Sequence, residues 1–262
     1  MSKIAAVGDN CVDVYGGDGN AYPGGNPVNV AVYARRLGAL TSYTGAVGTD
    51  QYGQMLLDAL SSKGVDVSRV KVIKGNTAVT QVELIDGERV FGDYDEGVMA
   101  DFNLDATDID FICCHDLLIS GIWGHIETRL GEIRSRGIPV AFDFATKLDS
   151  PEAAAALPHV DYAFFSDDRP DETNLRQIMA DTLSQGPRLV IATRGELGSL
   201  CFDGADFSDM GIVPCEVIDT MGAGDSYIAG FICGLLQGAS VHDCMSMGAV
   251  NASETIGYRG AW

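Results

Sequence analysis

The stretch Asp219-Thr220-Met221-Gly222-Ala223-Gly224-Asp225-Ser226 stands directly before the apolar segment Tyr227 to Leu236. Two glycines at the start of a predicted helix allow the backbone to turn sharply and to direct several N–H groups towards one point. The dipole of the helix adds partial positive charge at the same place. The stretch therefore predicts an anion-binding loop, with the carboxylate of Asp225 beside it.

The carboxylate of Asp225 has two interpretations on these residues alone. It would repel a bound phosphate, but it is well placed to accept the proton of a hydroxyl that attacks that phosphate. Alternatively, the loop is an ordinary glycine turn and Asp225 caps the helix. The loop does not match the P-loop pattern, which ends in Gly-Lys-Ser or Gly-Lys-Thr.

The composition restricts the class of partner. Among 262 residues, 37 are acidic and 17 basic, which gives a net charge of −20, whereas 46% are hydrophobic. A globular surface this negative disfavours nucleic acids and anionic membranes. No apolar run approaches the length of a membrane span. Seven cysteines without a C-x-x-C pair indicate reduced thiols, so we expect a cytoplasmic protein.

Short apolar runs alternate with segments of helical period along the chain. This pattern is typical of an α/β protein with a largely parallel central sheet. No linker or repeat divides the sequence, so we expect one domain over residues 1–262. The predicted strands are Ile4–Gly8, Thr41–Val47, Leu117–Ser120, Pro139–Phe142, Tyr162–Phe165, Leu189–Thr193 and Ser199–Phe202.

Two predicted helices have readable ends. Asn26 with Pro27 behind it is typical of a helix N-cap, and Gly38 is typical of the stop of that helix. Asp50 opens a second helix, which we expect to end at Gly64.

One segment departs from the parallel pattern. Residues 79–85 and 88–94 read as two strands joined by a hairpin turn at Asp86-Gly87, which predicts a small antiparallel sheet. Its polar face is mostly acidic, and a solvated edge that discourages aggregation accounts for it equally well. The acidic residues are Glu83, Glu88, Asp93, Asp95 and Glu96, against Arg89.

Four motifs in order resemble the PfkB (ribokinase-like) carbohydrate kinases over nearly the whole chain. The Asp219 to Ser226 stretch is similar to the family's second signature. The resemblance implies a ribokinase-like three-layer α/β/α sandwich with a small β-sheet lid at roughly 10–23 and 77–100. The other three motifs are Gly8 to Asp13, Tyr22 to Ala31 with its glycine pair and asparagine, and Arg194 to Ser199 after a strand.

Within this family the sequence resembles the fructosamine kinases more closely. That resemblance implies ATP-dependent phosphorylation of a sugar hydroxyl, the 6-hydroxyl of fructoselysine or a related fructosamine. A fructokinase, a ribokinase-like enzyme or a nucleoside kinase is the alternative within the family. The supporting segments are Gly8 to Asp13, Arg89 to Tyr94, Glu96 to Phe102, Ile122 to His125, Ala141 to Phe144 and Gly260 to Trp262.

The family resemblance also implies roles for individual residues. Asp225 is the expected general base, and the loop of Gly222, Ala223 and Gly224 is expected to stabilise the transferring phosphoryl group. The residues implied for the sugar are Asp9, Asp13, Gly25, Asn26 and Asn29, with Trp123 and His125 as further candidates. Those implied for the nucleotide are Thr193, Gly195, Gly198 and Asn251, the last of which is equally consistent with a helix-surface asparagine.

Three further expectations follow from the family. Mg²⁺ should accompany ATP, but the usual Asn-x-x-Glu motif is absent. Its place is taken by a stretch that starts at Ser166, so Asp143, Asp168 and Glu172 are only candidates and no ligand is assigned. Glu83 or Asp93 of the lid is expected to hold the cationic amino-acid part of the substrate. Lid sheets of this family often pair, so we expect a homodimer.

The sequence disfavours two other classes of protein. A nicotinamide-dependent oxidoreductase is disfavoured, because Gly8-Asp9-Asn10 stands where the G-x-G-x-x-G motif would follow the first strand. A non-catalytic sugar-binding or regulatory protein of the same fold is disfavoured by the retention of Asp225 and both glycines of its loop.

Overall fold

The computed structural model describes residues 1–15, 20–85, 88–169 and 171–262, without the side chains of residues 83–91. Its central sheet has eight strands in the order β14-β13-β12-β11-β10-β9-β1-β4. The strands from β4 to β12 in this order run parallel to one another. Strand β13 pairs antiparallel with both of its neighbours, β12 and β14. The bounds are β1 (Lys3–Val7), β4 (Leu40–Thr44), β9 (Leu117–Gly121), β10 (Val140–Asp143), β11 (Tyr162–Ser166), β12 (Leu189–Thr193), β13 (Ser199–Phe202) and β14 (Phe207–Met210).

Helices cover both faces of this sheet, which confirms the predicted α/β architecture. Side chains alternate along β1: Ala5 and Val7 join one hydrophobic core, and Ile4 and Ala6 join the other. Helices α3 (Ala106–Ile112), α4 (Leu130–Ser135), α5 (Pro151–Ala156) and α6 (Glu172–Leu183) line the first core. Helices α1 (Asn26–Arg36), α7 (Ala223–Leu236) and α8 (Val241–Thr255) line the second, to which α2 (Gln51–Ser62) adds Leu60.

A separate sheet of four strands has the order β3-β2-β7-β8. Its strands are β2 (Cys11–Tyr15), β3 (Ala21–Gly24), β7 (Val79–Ile85) and β8 (Glu88–Asp95). The pair β7 and β8 is antiparallel, which confirms the predicted hairpin strands, whereas the Asp86-Gly87 turn lies outside the described residues. The four strands fall within the segments 10–24 and 77–100, close to the predicted lid.

The predicted strand over Thr41–Val47 is wrong in one respect, because the chain forms two strands there. Strand β4 ends at Thr44, and β5 (Ala46–Gly48) pairs with β6 (Lys71–Ile73) in a separate two-stranded sheet. Gly45 lies between them against the side chain of Tyr43, where a Cβ would have no room. The glycine therefore lets the chain leave the central sheet.

The predicted N-cap at Asn26 is also wrong. The N-cap of α1 is Gly25, whose φ of 111° lies in the region that favours glycine, and Pro27 follows in the first turn. The side chain of Asn26 is thus available for contacts elsewhere. By contrast, Asp50 caps α2 as predicted, since its carboxylate accepts a hydrogen bond from the N–H of Gly53 at 2.9 Å.

The parallel strands place several polar residues at one edge of the central sheet. Asp9 follows β1, Asp143 ends β10 and Thr193 ends β12. In open α/β sheets, ligands bind at the carboxyl ends of the strands. No helix within the described ranges is long and apolar enough to cross a lipid bilayer.

Candidate active site

The glycine loop before α7 has the geometry of an anion site. Gly222 takes a left-handed conformation with φ 74°, and a Cβ there would collide with the hydroxyl of Tyr33. The N–H of Ala223 donates to the carbonyl of Thr220 at 3.2 Å within the turn. A Cβ on Gly224, by contrast, would meet open space. A ligand can therefore approach the first turn of α7 from the side of Gly224.

The carboxylate of Asp225 is held by two asparagines of α1. Its Oδ1 accepts a hydrogen bond from Nδ2 of Asn26 at 2.6 Å, and its Oδ2 accepts one from Nδ2 of Asn29 at 2.7 Å. Gly222 occupies the N-cap position of α7, so the interpretation of Asp225 as an N-cap is wrong. The carboxylate instead faces α1 at the carboxyl edge of the sheet.

Asn26 connects Asp225 to a second aspartate. Its Nδ2 also donates to Oδ2 of Asp143 at 2.8 Å, and its backbone N–H donates to Oδ2 of Asp9 at 3.2 Å. In the described part of the chain, Oδ1 of Asn26 and Oδ1 of Asp9 are buried without a hydrogen-bond partner. Buried acceptors of this kind need donors, which the hydroxyls of a sugar would supply.

The three aspartates of this cluster have raised pKa values. Burial, which disfavours the charged form, raises the pKa of Asp225 to about 8, and the charge of Asp143 adds to the effect. The hydrogen bonds from Asn29 and Asn26 oppose it. Burial likewise raises the pKa of Asp9 to about 6 and that of Asp143 to about 6. Neighbouring acids with raised pKa values in one cleft are typical of sites of acid–base chemistry.

Asp13 of β2 brings the small sheet to the same region. It is 7% exposed, and its Oδ1 accepts a weak hydrogen bond from the thiol of Cys11 at 3.5 Å. Burial and then the charges of Asp13 and Asp9 raise the pKa of Cys11, so both carboxylates lie near this thiol. The sheet therefore faces the aspartate cluster with the side of β2 that carries Cys11 and Asp13.

Asp93 lies elsewhere on the same sheet. It lines a cavity of about 560 Å³ with Asp50, Gln81 and Asp95 between the sheet and α2. Tyr94 also borders this cavity. Partial burial and the charge of Asp9 raise the pKa of Tyr94, which places Tyr94 towards the aspartate cluster. The side chain of Glu83, the other predicted residue, lies outside the described residues.

Trp123 and His125 follow β9 at the mouth of the cleft. The ring of Trp123 is 39% exposed and lies 5.7 Å from Nζ of Lys147. His125, with a φ of 55°, contacts the carboxylate of Glu96, which follows β8. His125 also lowers the pKa of Asp9, although burial dominates that value. The pair of His125 and Glu96 thus joins the two sides of the cleft.

The residues predicted for the nucleotide form a second group, at the ends of β11 and β12. The hydroxyls of Thr193 and Ser166 lie 3.0 Å apart. Gly195 and Gly198 bound a short 3₁₀ turn with φ values of 54° and 81°, and a Cβ on Gly198 would collide with the carbonyl of Met210. Gly195 has open space around it, as a residue approached by a ligand would need.

Asn251 is a residue of α8 whose side chain faces α7, and it is only 2% exposed. The interpretation as a helix-surface asparagine is therefore wrong. Its Nδ2 donates to the carbonyl of Ser226 at 2.7 Å, and the hydroxyl of Ser226 donates to the carbonyl of Asn251 at 2.9 Å. These bonds fix α8 against the residue that follows Asp225.

The candidate magnesium ligands are engaged with cations or separated from one another. Glu172 pairs with Arg176 and with the buried Arg194, Asp168 is exposed in the segment after β11, and Asp143 accepts a hydrogen bond from Asn26. Throughout the ranges that the structure describes, no three His, Cys, Asp or Glu side chains are grouped to hold a metal ion.

Sequence reasoning missed two members of the site. The sequence predicts Asp143 only as a metal candidate, although it ends a parallel strand, where polar side chains commonly contact ligands. The indole Nε1 of Trp262 donates to Oδ1 of Asn29 at 2.8 Å, a contact across 233 positions for which no local pattern exists.

The fold and this cluster define a carbohydrate kinase. The chain belongs to the pfkB family of carbohydrate kinases, whose model matches residues 3–262. It is 47% identical over 262 residues to fructoselysine 6-kinase of Escherichia coli (strain K12), with both chains covered completely. It is 34% identical to a fructosamine kinase of Bacillus subtilis (strain 168), with 99% of this chain and 93% of the relative covered.

Solved structures confirm the ribokinase-like fold. The ribokinase of Arabidopsis thaliana complexed with ribose and ATP matches with a TM-score of 0.90 at 21% identity. That match covers 99% of this chain and 93% of the ribokinase. A ribokinase of Thermotoga maritima matches with a TM-score of 0.83 at 19% identity, over all of this chain and 95% of the other.

Proposed function

We propose that the protein transfers the γ-phosphoryl group of ATP to the 6-hydroxyl of fructoselysine or a related fructosamine. The names of its relatives support this substrate class, and a ribokinase of similar fold was solved with ATP. The observation that carries the proposal is the carboxylate of Asp225 at the start of α7, fixed by Asn26 and Asn29.

Asp225 acts as the general base in this proposal. Its carboxylate takes the proton of the 6-hydroxyl while the hydroxyl oxygen bonds to the γ-phosphorus and the bond to the leaving ADP oxygen breaks. The base must be ionised, and burial opposes ionisation by raising its pKa to about 8. The two asparagine donors favour the charged form, and the rate should rise with pH through this region.

The loop of Gly222, Ala223 and Gly224 stabilises the charge of the phosphoryl group in flight. The helix dipole and the backbone N–H groups of the first turn of α7 point towards the place where that charge develops. Since the N–H of Ala223 is bonded to Thr220, the N–H groups of Gly224 and Asp225 are the donors that this role requires.

The sugar lies between the aspartate cluster and the small sheet. The buried Oδ1 atoms of Asp9 and Asn26 accept hydrogen bonds from its hydroxyls, and Asp13 approaches from β2. Gly25 and Asn29 complete this side, and Trp123 and His125 border the open end. The sheet then acts as the lid that the family resemblance implies.

The nucleotide lies over the ends of β11 and β12. Thr193, Gly195 and Gly198 border its place, and Asn251 contributes by fixing α8 behind the loop. Mg²⁺ accompanies ATP in this proposal, and no magnesium ligand is assigned among the side chains. Magnesium in nucleotide sites keeps several waters and phosphate oxygens as ligands.

A substrate panel tests the proposal. ADP release is measured with fructoselysine, fructose, ribose and adenosine as acceptors, and the phosphorylated carbon is located by ³¹P–¹H NMR. The proposal expects the highest kcat/KM with fructoselysine and phosphate on carbon 6. A higher kcat/KM with fructose, ribose or adenosine would identify the corresponding alternative kinase instead.

Two expectations remain predictions alongside this proposal. A cytoplasmic location is consistent with the reduced cysteines, all seven of which are free thiols. A homodimer that pairs the small sheets would sediment at twice the monomer mass at micromolar concentration, and a single monomer peak would contradict it.

A further inference from the structure

The cluster around Asp225 extends to Trp262, for which the sequence analysis gives no role in the site. The segment after α8 returns to the active site, where Ala261 accepts a hydrogen bond from the hydroxyl of Tyr33 and Gly260 donates to Asp219 at 2.7 Å. This places the indole of Trp262 beside α1, with Nζ of Lys63 5.6 Å from the centre of the ring.

The indole fixes the orientation of the Asn29 amide. An indole N–H can only donate, so the atom of Asn29 that lies 2.8 Å from Nε1 of Trp262 must be the carbonyl oxygen. The amide nitrogen is then turned towards Asp225, whose Oδ2 it reaches at 2.7 Å. Hydrogen bonds run in one direction through the chain, from Trp262 through Asn29 to Asp225.

The direction of this chain matters for the ionisation of Asp225. A carboxylate accepts the N–H of Asn29, whereas a protonated carboxyl would prefer to donate to an amide oxygen. Without the indole donor, the amide of Asn29 could rotate by 180° and present Oδ1 to Asp225. Trp262 therefore blocks the amide orientation that suits the protonated acid.

We propose that Trp262 is a positioning residue, which holds the amide of Asn29 so that it donates to the carboxylate of Asp225 and favours the ionised base. This inference rests on the proposed function of Asp225. Other titratable groups face the same place: Asp143 at the end of β10, Asp9 after β1 and Tyr33 of α1, with Arg36 stacked on the ring of Tyr33 at 5.4 Å. None of these groups is changed by replacing the indole.

The kinetic test uses Trp262→Phe, which keeps an aromatic ring but removes the N–H donor together with the pyrrole part of the indole. The proposal expects the midpoint of the kcat–pH profile to move up by about half to one pH unit, with about three- to tenfold lower kcat at pH 7. At high pH, kcat should return to within about twofold of the wild type, because the base is then ionised in both. KM for ATP and for the sugar should stay the same.

Two variants control for packing of the segment. Tyr258→Phe removes the hydrogen bond of 3.2 Å to the carbonyl of Ala261 and the one of 2.8 Å that Arg36 donates to the same hydroxyl. It leaves Trp262, Asn29 and Asp225 in place and should leave the midpoint unchanged. In an Asn29→Ala background, Trp262→Phe should produce no additional shift, since the group it acts through is gone. A uniform loss of kcat at every pH, without a shift of the midpoint, would show a merely structural role and overturn the proposal.

A second readout does not depend on kinase activity. The chain has two tryptophans, so the ¹H–¹⁵N spectrum holds two indole signals, and Trp262→Phe identifies its own. The Trp262 signal should shift with pH as Asp225 ionises, and this shift should vanish in Asp225→Asn. If the signal titrates but no fructosamine is phosphorylated, the proposed function fails, whereas the proposed series of hydrogen bonds from Trp262 to Asp225 is supported. If the signal does not titrate, the proposed role of Trp262 is refuted, whatever activity the protein has.

Discussion

Nδ2 of Asn26 lies 2.6 Å from Oδ1 of Asp225 and 2.8 Å from Oδ2 of Asp143, and it donates a hydrogen bond to each. One neutral amide thus bridges two partly buried acids, alongside the hydrogen bonds that Asp225 accepts from Asn29 and Asp143 from the N–H of Ala145. The bond favours the ionised form of Asp225, while burial and the charge of Asp143 oppose it. A general base with a pKa near the working pH results from this balance.

Replacing Asn26 by leucine removes the bridge while keeping a side chain of similar size. We expect kcat to fall about 10²-fold, the scale on which positioned acid–base groups act, and KM for ATP to stay within about twofold. The reason is that Asp225 loses a donor that favours its ionised form. Steady-state kinetics measure this, with Asn103→Leu at the exposed surface as the control. A kcat within threefold of the wild type would contradict the role of the bridge.

Replacing Asp225 by asparagine should increase stability in a pH-dependent way. The pKa of Asp225 is about 8 in the folded chain, above its ordinary value of 3.8. Between these values the folded chain retains a proton that the unfolded chain has released, so this group lowers stability as pH rises. Asparagine cannot ionise, and the Tm advantage of the variant should therefore widen from pH 5 to pH 8.

Thermal unfolding of both proteins at several pH values measures this difference. Asp58→Asn, on the exposed side of α2, is the matched control and should show no widening gap. A Tm difference for Asp225→Asn that is constant between pH 5 and pH 8 would show that Asp225 does not carry a raised pKa.

The two glycines of the loop should respond differently to alanine. Gly222→Ala introduces a Cβ at a φ of 74° against Tyr33, so we expect both Tm and kcat to fall. Gly224→Ala places its Cβ in open space, so the fold should be kept while the methyl group obstructs the phosphoryl position. Thermal unfolding and kcat, measured together, separate the two. Equal losses of Tm in both variants would contradict this account of the loop.

The carboxylates of the small sheet should differ in their effect on substrate choice. Glu96 contacts His125 at the mouth of the cleft, whereas Asp93 lines the cavity between the sheet and α2. We expect the carboxylate of Glu96 to attract the cationic amino-acid part of the substrate. Glu96→Gln should therefore raise KM for fructoselysine about two- to fivefold, the size of a partly exposed ion pair, and leave KM for fructose unchanged. Asp93→Asn, at one of the two residues predicted from the sequence, serves as the comparison. If Asp93→Asn alone changes the ratio of the two KM values, the sequence prediction is correct and the assignment to Glu96 is wrong.

The parts of the site that sequence predicts are those set by local backbone chemistry. The loop before Asp225 needs glycines for its turn and a helix for its dipole, and both are visible in a few consecutive residues. The strands of the sheet follow from apolar runs in the same way. Asp50 was predicted as a helix cap because a cap contacts its own helix.

The parts that sequence does not predict depend on contacts between distant segments. Asn26 has the residue type of a helix cap, but Gly25 takes that place and frees the amide for Asp143 and Asp225. The strand at Thr41 divides at Gly45 because Tyr43 occupies the space beside it, which only the packed structure reveals. The contact of Trp262 with Asn29 likewise requires the folded chain.

The most direct test of the central claim is kcat for phosphoryl transfer from MgATP to fructoselysine by the wild-type protein and by Asp225→Asn at pH 8. Asparagine keeps the size of the side chain but cannot take the proton of the 6-hydroxyl. The account predicts a loss of about 10³-fold in kcat, with a folded protein and an unchanged KM for ATP. A variant that retains more than a tenth of the wild-type kcat would contradict the assignment of Asp225 as the general base.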